Sequence, residues 1–252
     1  MNGDFLALLP KHPFPTAHAQ APAVDQLQAT TVFAFHCAEG VIIAGDHRAT
    51  AGNTIFSDKT EKILELDSHS LMAIAGVPAT AFEMARTLQT SFEFYRRSQL
   101  QPMSLPAKIR ALSRLLRDNL AATLQGFGIV APIFAGVELS DPQGKPSIYF
   151  YDPLGAQFEA ATYAGSGSGS GSIKSVLHYL EKWGNPRPAD MSLAQAITLT
   201  IRLLMTAAEF DSATGGVQPD RQLYATIKLL SRDGIHTVTT EEQARCWKET
   251  QS

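Results

Sequence analysis

The sequence predicts an α+β fold: a four-layer α-β-β-α sandwich built on two antiparallel sheets. Three observations predict it. Strand and helix signals come in runs (strands, two helices, strands, two helices, strands) and not in strict alternation, which is the pattern of antiparallel sheets with helices on their outer faces. The first two strand pairs are each joined by a short turn, as hairpins are and crossover connections are not. The 252 residues are 44% apolar, enough to bury a large core as one domain or at most two.

Residues 1–29 hold three prolines in "PKHPFP" and a fourth at Pro22, and read as a leader with little structure of its own. That leaves 30–252 as the folded domain. Residues 31–37 are rich in Val and Phe, Ala38-Glu39-Gly40 make a turn, and 41–45 ("VIIAG") form a buried strand. A second pair follows at 60–66 ("TEKILEL") and 70–75 ("SLMAIA"), across Asp67-Ser68-His69. A helix over 79–98 carries Phe82, Ala85, Leu88, Phe92 and Tyr95 at spacings of three or four. The next helix, 104–125, has Ser104 as N-cap and Pro106 in its first turn, and stops at Gly126. Strands are expected at 129–138, 147–151 and 158–161, helices at 172–183 and 192–209, and closing strands at 223–230 and 235–239.

Composition excludes several classes of function. The net charge is −3 and Lys and Arg are dispersed, so neither nucleic acid nor an anionic membrane is an expected partner. No apolar run has the length of a membrane span. The only signal-like stretch, Phe5–Leu9, follows an acidic residue and is too short, so a cytoplasmic location is expected. Cys37 and Cys246 lie far apart without metal-ligand spacing and are expected to pack as small apolar groups, with no cofactor or metal. The repeat at Gly165–Ser172 is no phosphate loop, because Ile173 and not glycine precedes Lys174-Ser175.

The chemistry centres on Thr30. Cleavage before it would give one residue both a hydroxyl nucleophile and a free α-amine, a complete nucleophile-and-base unit. In an antiparallel hairpin, residues equidistant from the turn lie opposite each other. With the first turn centred between Ala38 and Glu39, Asp46 falls opposite Thr31, beside Thr30. With the second centred on Ser68, Lys62 falls opposite Ile74 and Thr60 opposite Gly76. An α-amine, with a reference pKa of about 8, suits a base at neutral pH. A lysine ammonium beside the threonine oxygen favours its alkoxide and depresses the amine's pKa, and Asp46 would hold that lysine in place. The Gly76 N–H, with no Cβ in the way, suits the oxyanion of an attacked carbonyl. Taken singly, each has a plainer reading: a strand start, a Gly-Asp turn, a solvated edge lysine.

Three blocks, "TTVFAFHCAEGVIIAGDHRAT", "EKILELDSHSLMAIAG" and "EFDSATGG", resemble the proteasome β subunits, the N-terminal threonine peptidases, and the actinobacterial type most closely. The resemblance runs from Thr30 to about Thr240. It implies the N-terminal nucleophile hydrolase fold and autocatalytic removal of the leader between Ala29 and Thr30. It also implies a stacked ring of copies of this chain, capped by proteasome α subunits. Unfolded protein substrates would be delivered by a regulatory ATPase acting through the α ring. Residue by residue, Thr30 matches the nucleophile, Asp46 and Lys62 its acidic and basic partners, and Gly76 the oxyanion residue. Asp211 matches the aspartate that positions the terminal amine, and Thr214 stands where serine is frequent, with a hydroxyl that still donates and accepts. The assisting serine, counted back from Lys174–Leu177, is Ser168, with Ser166 and Ser170 as alternatives because the block repeats every two residues.

The primary specificity pocket is assigned by the resemblance to Ala49, Thr60, Leu64, Ile74, Pro78 and Phe82, with Thr50 among the substrate-binding residues. No charged residue is among them, so apolar residues are expected at the cleaved position. Two departures stand out. Ala29 replaces a glycine whose backbone freedom aids self-cleavage, and Pro78-Ala79 follow "AGV" where related chains carry smaller or more flexible residues. Two competing readings are a non-catalytic β-type ring subunit and a small-molecule amidase of the same nucleophile class. The combination of Thr30, Asp46, Lys62 and Asp211 weighs against the first, and the "DSATGG" block against the second.

Overall fold

Two five-stranded antiparallel sheets face each other, with helices on both outer sides. The computed structural model describes residues 30–51, 54–218 and 223–249, so residues 1–29, expected to be a leader and ending in Ala29, lie outside the described residues. The strands are β1 (Thr31–Cys37), β2 (Gly40–Gly45), β3 (Ala49–Ala51), β4 (Thr54–Ser57), β5 (Ile63–Asp67) and β6 (Ser70–Ala73) in the first half. After helices α1 (Pro78–Gln99), α2 (Leu105–Asp118) and α3 (Leu120–Leu124) come β7 (Ile133–Gly136), β8 (Ser147–Tyr151), β9 (Gln157–Ala160) and β10 (Tyr163–Gly167). The chain closes with α4 (Ser170–Trp183), α5 (Leu193–Phe210), β11 (Thr226–Ser231), β12 (Gly234–Thr237) and α6 (Thr240–Glu249). One sheet has the order β10-β1-β2-β11-β12 and the other β5-β6-β7-β8-β9, with β3-β4 a separate hairpin.

The central strands are buried on both faces, so alternate residues serve different layers. Val32 and Ala34 of β1, with Val41 and Ile43 of β2, meet Ile63, Leu71, Ala73 and Ile133 between the sheets. Phe33 and Phe35, with Ile42 and Ala44, belong instead to the layer of Ile173 and Leu177 on α4 and Ile197, Ile201 and Leu204 on α5. On the far side Met72, Ile74 and Phe134 pack on Met84, Leu88 and Phe92 of α1 and Ile109 and Leu112 of α2. The four layers follow from this alternation, as the sequence predicts. Cys37 and Cys246 are buried members of the α4–α5 layer. Helix α5, 18 residues with a mean hydropathy of 1.2, is long and apolar enough to cross a membrane by those criteria, contrary to the expectation that no run is. Its apolar residues serve the core of this layer.

The first hairpin register matches expectation throughout, and the second matches over Ile63–Glu65 but shifts before its turn, where Asp67 and not Leu66 pairs with Ser70. β1 pairs with β2 from Val32↔Gly45 to Cys37↔Gly40, and β5 with β6 from Ile63↔Ala73. Several elements differ. Lys62 precedes its strand, since β5 begins at Ile63. The helix expected over 104–125 breaks at Asn119, whose side-chain amide donates to Gly128 O and Thr123 Oγ1. Ser104 occupies the N-cap position without a side-chain cap bond; the Leu105 N–H donates to Glu138 Oε2 instead. Strand β7 is confined to 133–136, after Pro132, which has no N–H to give a ladder. The hairpin β3-β4, strand β10 and helix α6 are additions. Strand β10 forms from the first half of the Gly/Ser repeat because it lies against β1, from Thr31↔Gly167 to Phe35↔Tyr163. Gly167 has φ +94°, and a Cβ there would sit 1.5 Å from Thr30 O, so only glycine fits beside the start of β1.

Candidate active site

Every sequence-predicted candidate for the chemistry lies at the end of an element. Thr30 immediately precedes β1, Asp46 follows β2, Lys62 precedes β5 and Gly76 follows β6. Ser168 lies between β10 and α4, and Asp211 and Thr214 follow α5. Thr30 is 5% exposed.

Asp46 and Lys62 form a fully buried ion pair, Nζ to Oδ1 2.6 Å, with side chains 0% and 1% exposed. Burying such a pair is costly unless the remaining polar atoms are satisfied. Here they are. Asp46 Oδ1 also accepts the Thr31 N–H at 3.1 Å, and Oδ2 accepts the N–H groups of Arg48 at 2.9 Å and Gly215 at 2.8 Å. Lys62 Nζ donates a second bond to Arg48 O at 2.6 Å. Burial pushes the Lys62 ammonium below the ordinary lysine range, against the opposing charge and hydrogen bond of Asp46.

A second cluster adjoins the first. Asp211 Oδ2 accepts the hydroxyls of Ser168 and Thr214, each at 2.6 Å, while Oδ1 accepts the Ala213 N–H at 3.1 Å. Burial alone would raise the Asp211 pKa, but these bonds and the Lys62 charge hold it below the usual carboxylate value. The three serines of the repeat separate by partner: Ser166 Oγ donates to Ala131 O and Ser170 Oγ to Gly167 O, leaving Ser168 as the one on Asp211. The side chain of Arg48 links the hairpin to this loop, with Nε on Asp58 and Nη1 on the carbonyls of Ser212 and Thr214.

Gly76 has φ +111°. It forms an isolated antiparallel bridge with Val130, whose bonds run from Val77 N–H to Ile129 O and from Ala131 N–H to Ala75 O. The bridge therefore makes no use of the Gly76 N–H. A Cβ at this position would lie 2.0 Å from Ile129 O. Gly76→Ala is accordingly expected to cost about 1–3 kcal/mol of stability, read as a lower denaturation midpoint. An unchanged midpoint would mean that the segment relaxes freely.

The substrate-pocket candidates divide. Leu64, Ile74 and Phe82 lie together against α1 and the second sheet, with Pro78 at the start of that helix. Thr60 is tied to His47, through its N–H to His47 O at 3.0 Å. Ala49 and Thr50 are buried on β3. Four residues of the site carry no expectation from sequence: Thr31, Arg48, Gly169 and Gly215. The signal for Thr31 is its place beside Thr30. That for Gly215 is the Gly-Gly of "DSATGG", where a Cβ would lie 3.2 Å from Asp46 Oδ2.

A family model described as proteasome subunit matches residues 27–218. The chain is 38% identical over 223 residues to proteasome subunit beta 2 of Thermomonospora curvata, covering 88% of this chain and 76% of that one. It is 33% identical over 222 residues to the proteasome subunit beta of Streptomyces griseus, with the same coverage. To that of Streptosporangium roseum it is 36% identical over 227 residues, again 88% and 76% of the two chains.

Proposed function

The chain belongs to the proteasome subunit family, and from that membership we propose that it is a catalytic β subunit, a threonine endopeptidase acting inside a closed ring chamber once residues 1–29 are removed. The observation that carries this reading is the meeting of two clusters at the start of β1: the buried Lys62–Asp46 pair and the Ser168–Asp211–Thr214 hydroxyl–carboxylate set. A ring scaffold needs neither. Thr30 Oγ attacks the substrate carbonyl while the freed α-amine accepts the proton and returns it to the leaving amine. The Lys62 charge favours the alkoxide, Asp211 and Ser168 orient the amine, and the Gly76 N–H meets the oxyanion before water releases the ester.

The working form is a cytoplasmic stack of rings made of this chain and of α subunits, with symmetric contacts between copies. An ATPase acting through the α ring supplies unfolded polypeptide. The intact mass of wild-type and Thr30→Ala chains after assembly with the α partner tests the catalytic role. Specificity is a separate expectation. Leu64, Ile74, Pro78 and Phe82 offer apolar surface and no charge, so fluorogenic peptides with apolar residues at the cleaved position should be cut fastest. A preference for acidic residues there would sink this assignment of the pocket.

A further inference from the structure

We propose that Thr31 is a positioning residue for the Thr30 site, its hydroxyl acting through Thr214 and Gly169 to set the Ser168–Asp211 pair. The inference rests on the peptidase reading and adds a residue to it. Counting protons gives the argument its direction. Asp211 as a carboxylate only accepts, and Thr214 spends its single hydroxyl proton on Asp211 Oδ2 at 2.6 Å. The 2.6 Å contact between Thr31 Oγ1 and Thr214 Oγ1 must then run from Thr31 to Thr214. With its own proton committed, Thr31 Oγ1 acts as acceptor for the Gly169 N–H at 3.0 Å. The result is a one-way chain: Gly169 N–H to Thr31, Thr31 to Thr214, Thr214 to Asp211.

Strand geometry explains why the residue next to the nucleophile can do this. Successive side chains on a strand point to opposite faces. Thr31 shares the parity of Phe33 and Phe35, which pack with α4 and α5. Asp211 and Thr214 follow α5, and Ser168 and Gly169 precede α4, so Thr31 faces the layer from which that loop and turn emerge. Thr30 has the opposite parity, that of Val32 and Ala34 between the sheets. The Thr31 hydroxyl is thereby turned to the helical side of the strand, where it meets Thr214 and Gly169. Thr31 and Thr214 are 0% and 1% exposed, so water cannot replace a lost partner in this chain. The Thr31 N–H on Asp46 Oδ1 also makes this residue one of the bonds between the two clusters, beside the Gly215 N–H on Asp46 Oδ2.

The test is steady-state hydrolysis of an apolar fluorogenic peptide by particles assembled from the full chain and its α partner. Wild type, Thr31→Val, Thr31→Ser and Thr30→Ala are compared, with particle melting temperature recorded. Thr31→Val keeps the shape and loses the hydroxyl; its kcat should fall about tenfold or more with KM within about twofold. Thr31→Ser should restore most of the loss. Adding Thr31→Val to Thr214→Val should cost little more than Thr214→Val alone, because the first acts through the second. Thr31→Ala, which adds no bulk, repeats the measurement if the valine variant fails to assemble. A kcat within twofold of wild type for the hydroxyl-free variants overturns the inference. So does a serine variant as slow as the valine one. If wild type is no more active than Thr30→Ala, the peptidase reading fails first and takes this inference with it.

Discussion

Thr30→Ala should retain residues 1–29 in particles where the wild-type chain has lost them, and its peptidase activity should be lower by at least about a thousandfold. The size of the effect follows from one residue supplying two functions. The substitution deletes the nucleophilic oxygen, and by blocking self-cleavage it also keeps the nitrogen acylated, so no free amine forms. The fold has little reason to suffer. Thr30 lies outside the β1 ladder, and alanine adds no atom near Gly167, the tightest approach at this site. Intact mass reads the leader directly, and the three outcomes separate cleanly. Loss of residues 1–29 in wild type alone shows that Thr30 cleaves its own chain. Retention in both, in assembled particles, makes the chain a ring scaffold. Trimming in both assigns the cut to an outside protease and removes self-cleavage as support for the nucleophile.

How much of this site is legible in the sequence depends on how far each residue lies from a turn. Asp46 and Lys62 are readable because a hairpin register needs only the centre of its turn, and both turns are short. Glycine at 76 is visible as a residue, but the close approach of Ile129 O that demands it is a tertiary fact. The Gly/Ser repeat is the hardest segment. Its local preference opposes a strand, and the pairing of β10 with β1 overrides that preference. The three serines Ser166, Ser168 and Ser170 are locally equivalent in sequence and differ only in which oxygen each hydroxyl meets, which is likewise a tertiary fact. Helix α6 is a different case. Thr239 and Glu242 bond reciprocally as a capping box, a T-x-x-E spacing visible in the chain, ahead of a segment with few apolar residues to show a periodicity.

Lys62→Ala should abolish leader removal and lower peptide turnover by about 10²–10⁴-fold, while costing less stability than a broken buried ion pair usually does. Removing one partner of such a pair typically costs about 3–5 kcal/mol, because the other charge is left alone in the interior. Asp46 is not left alone: the N–H groups of Thr31, Arg48 and Gly215 still point at its oxygens. The stability loss should therefore fall at or below the lower end of that range, and the chain should still assemble. Self-cleavage should suffer more than turnover, since in the precursor the Thr30 nitrogen is tied up in a peptide bond. Among Thr30, Asp46, Lys62, Ser168, Asp211 and Thr214, Lys62 is then the one basic side chain. Arginine should not rescue it, because a larger, fork-shaped cation has no room where the side chain is 1% exposed. The pH profile gives an independent check. Burial lowers the Lys62 pKa and Asp46 raises it, with burial the larger influence. Turnover needs the charged form, so it should decline on the alkaline side at a pH below the ordinary lysine range. Asp46→Asn removes the raising influence and should move that decline to still lower pH. A decline that stays in place in Asp46→Asn would belong to a group other than Lys62.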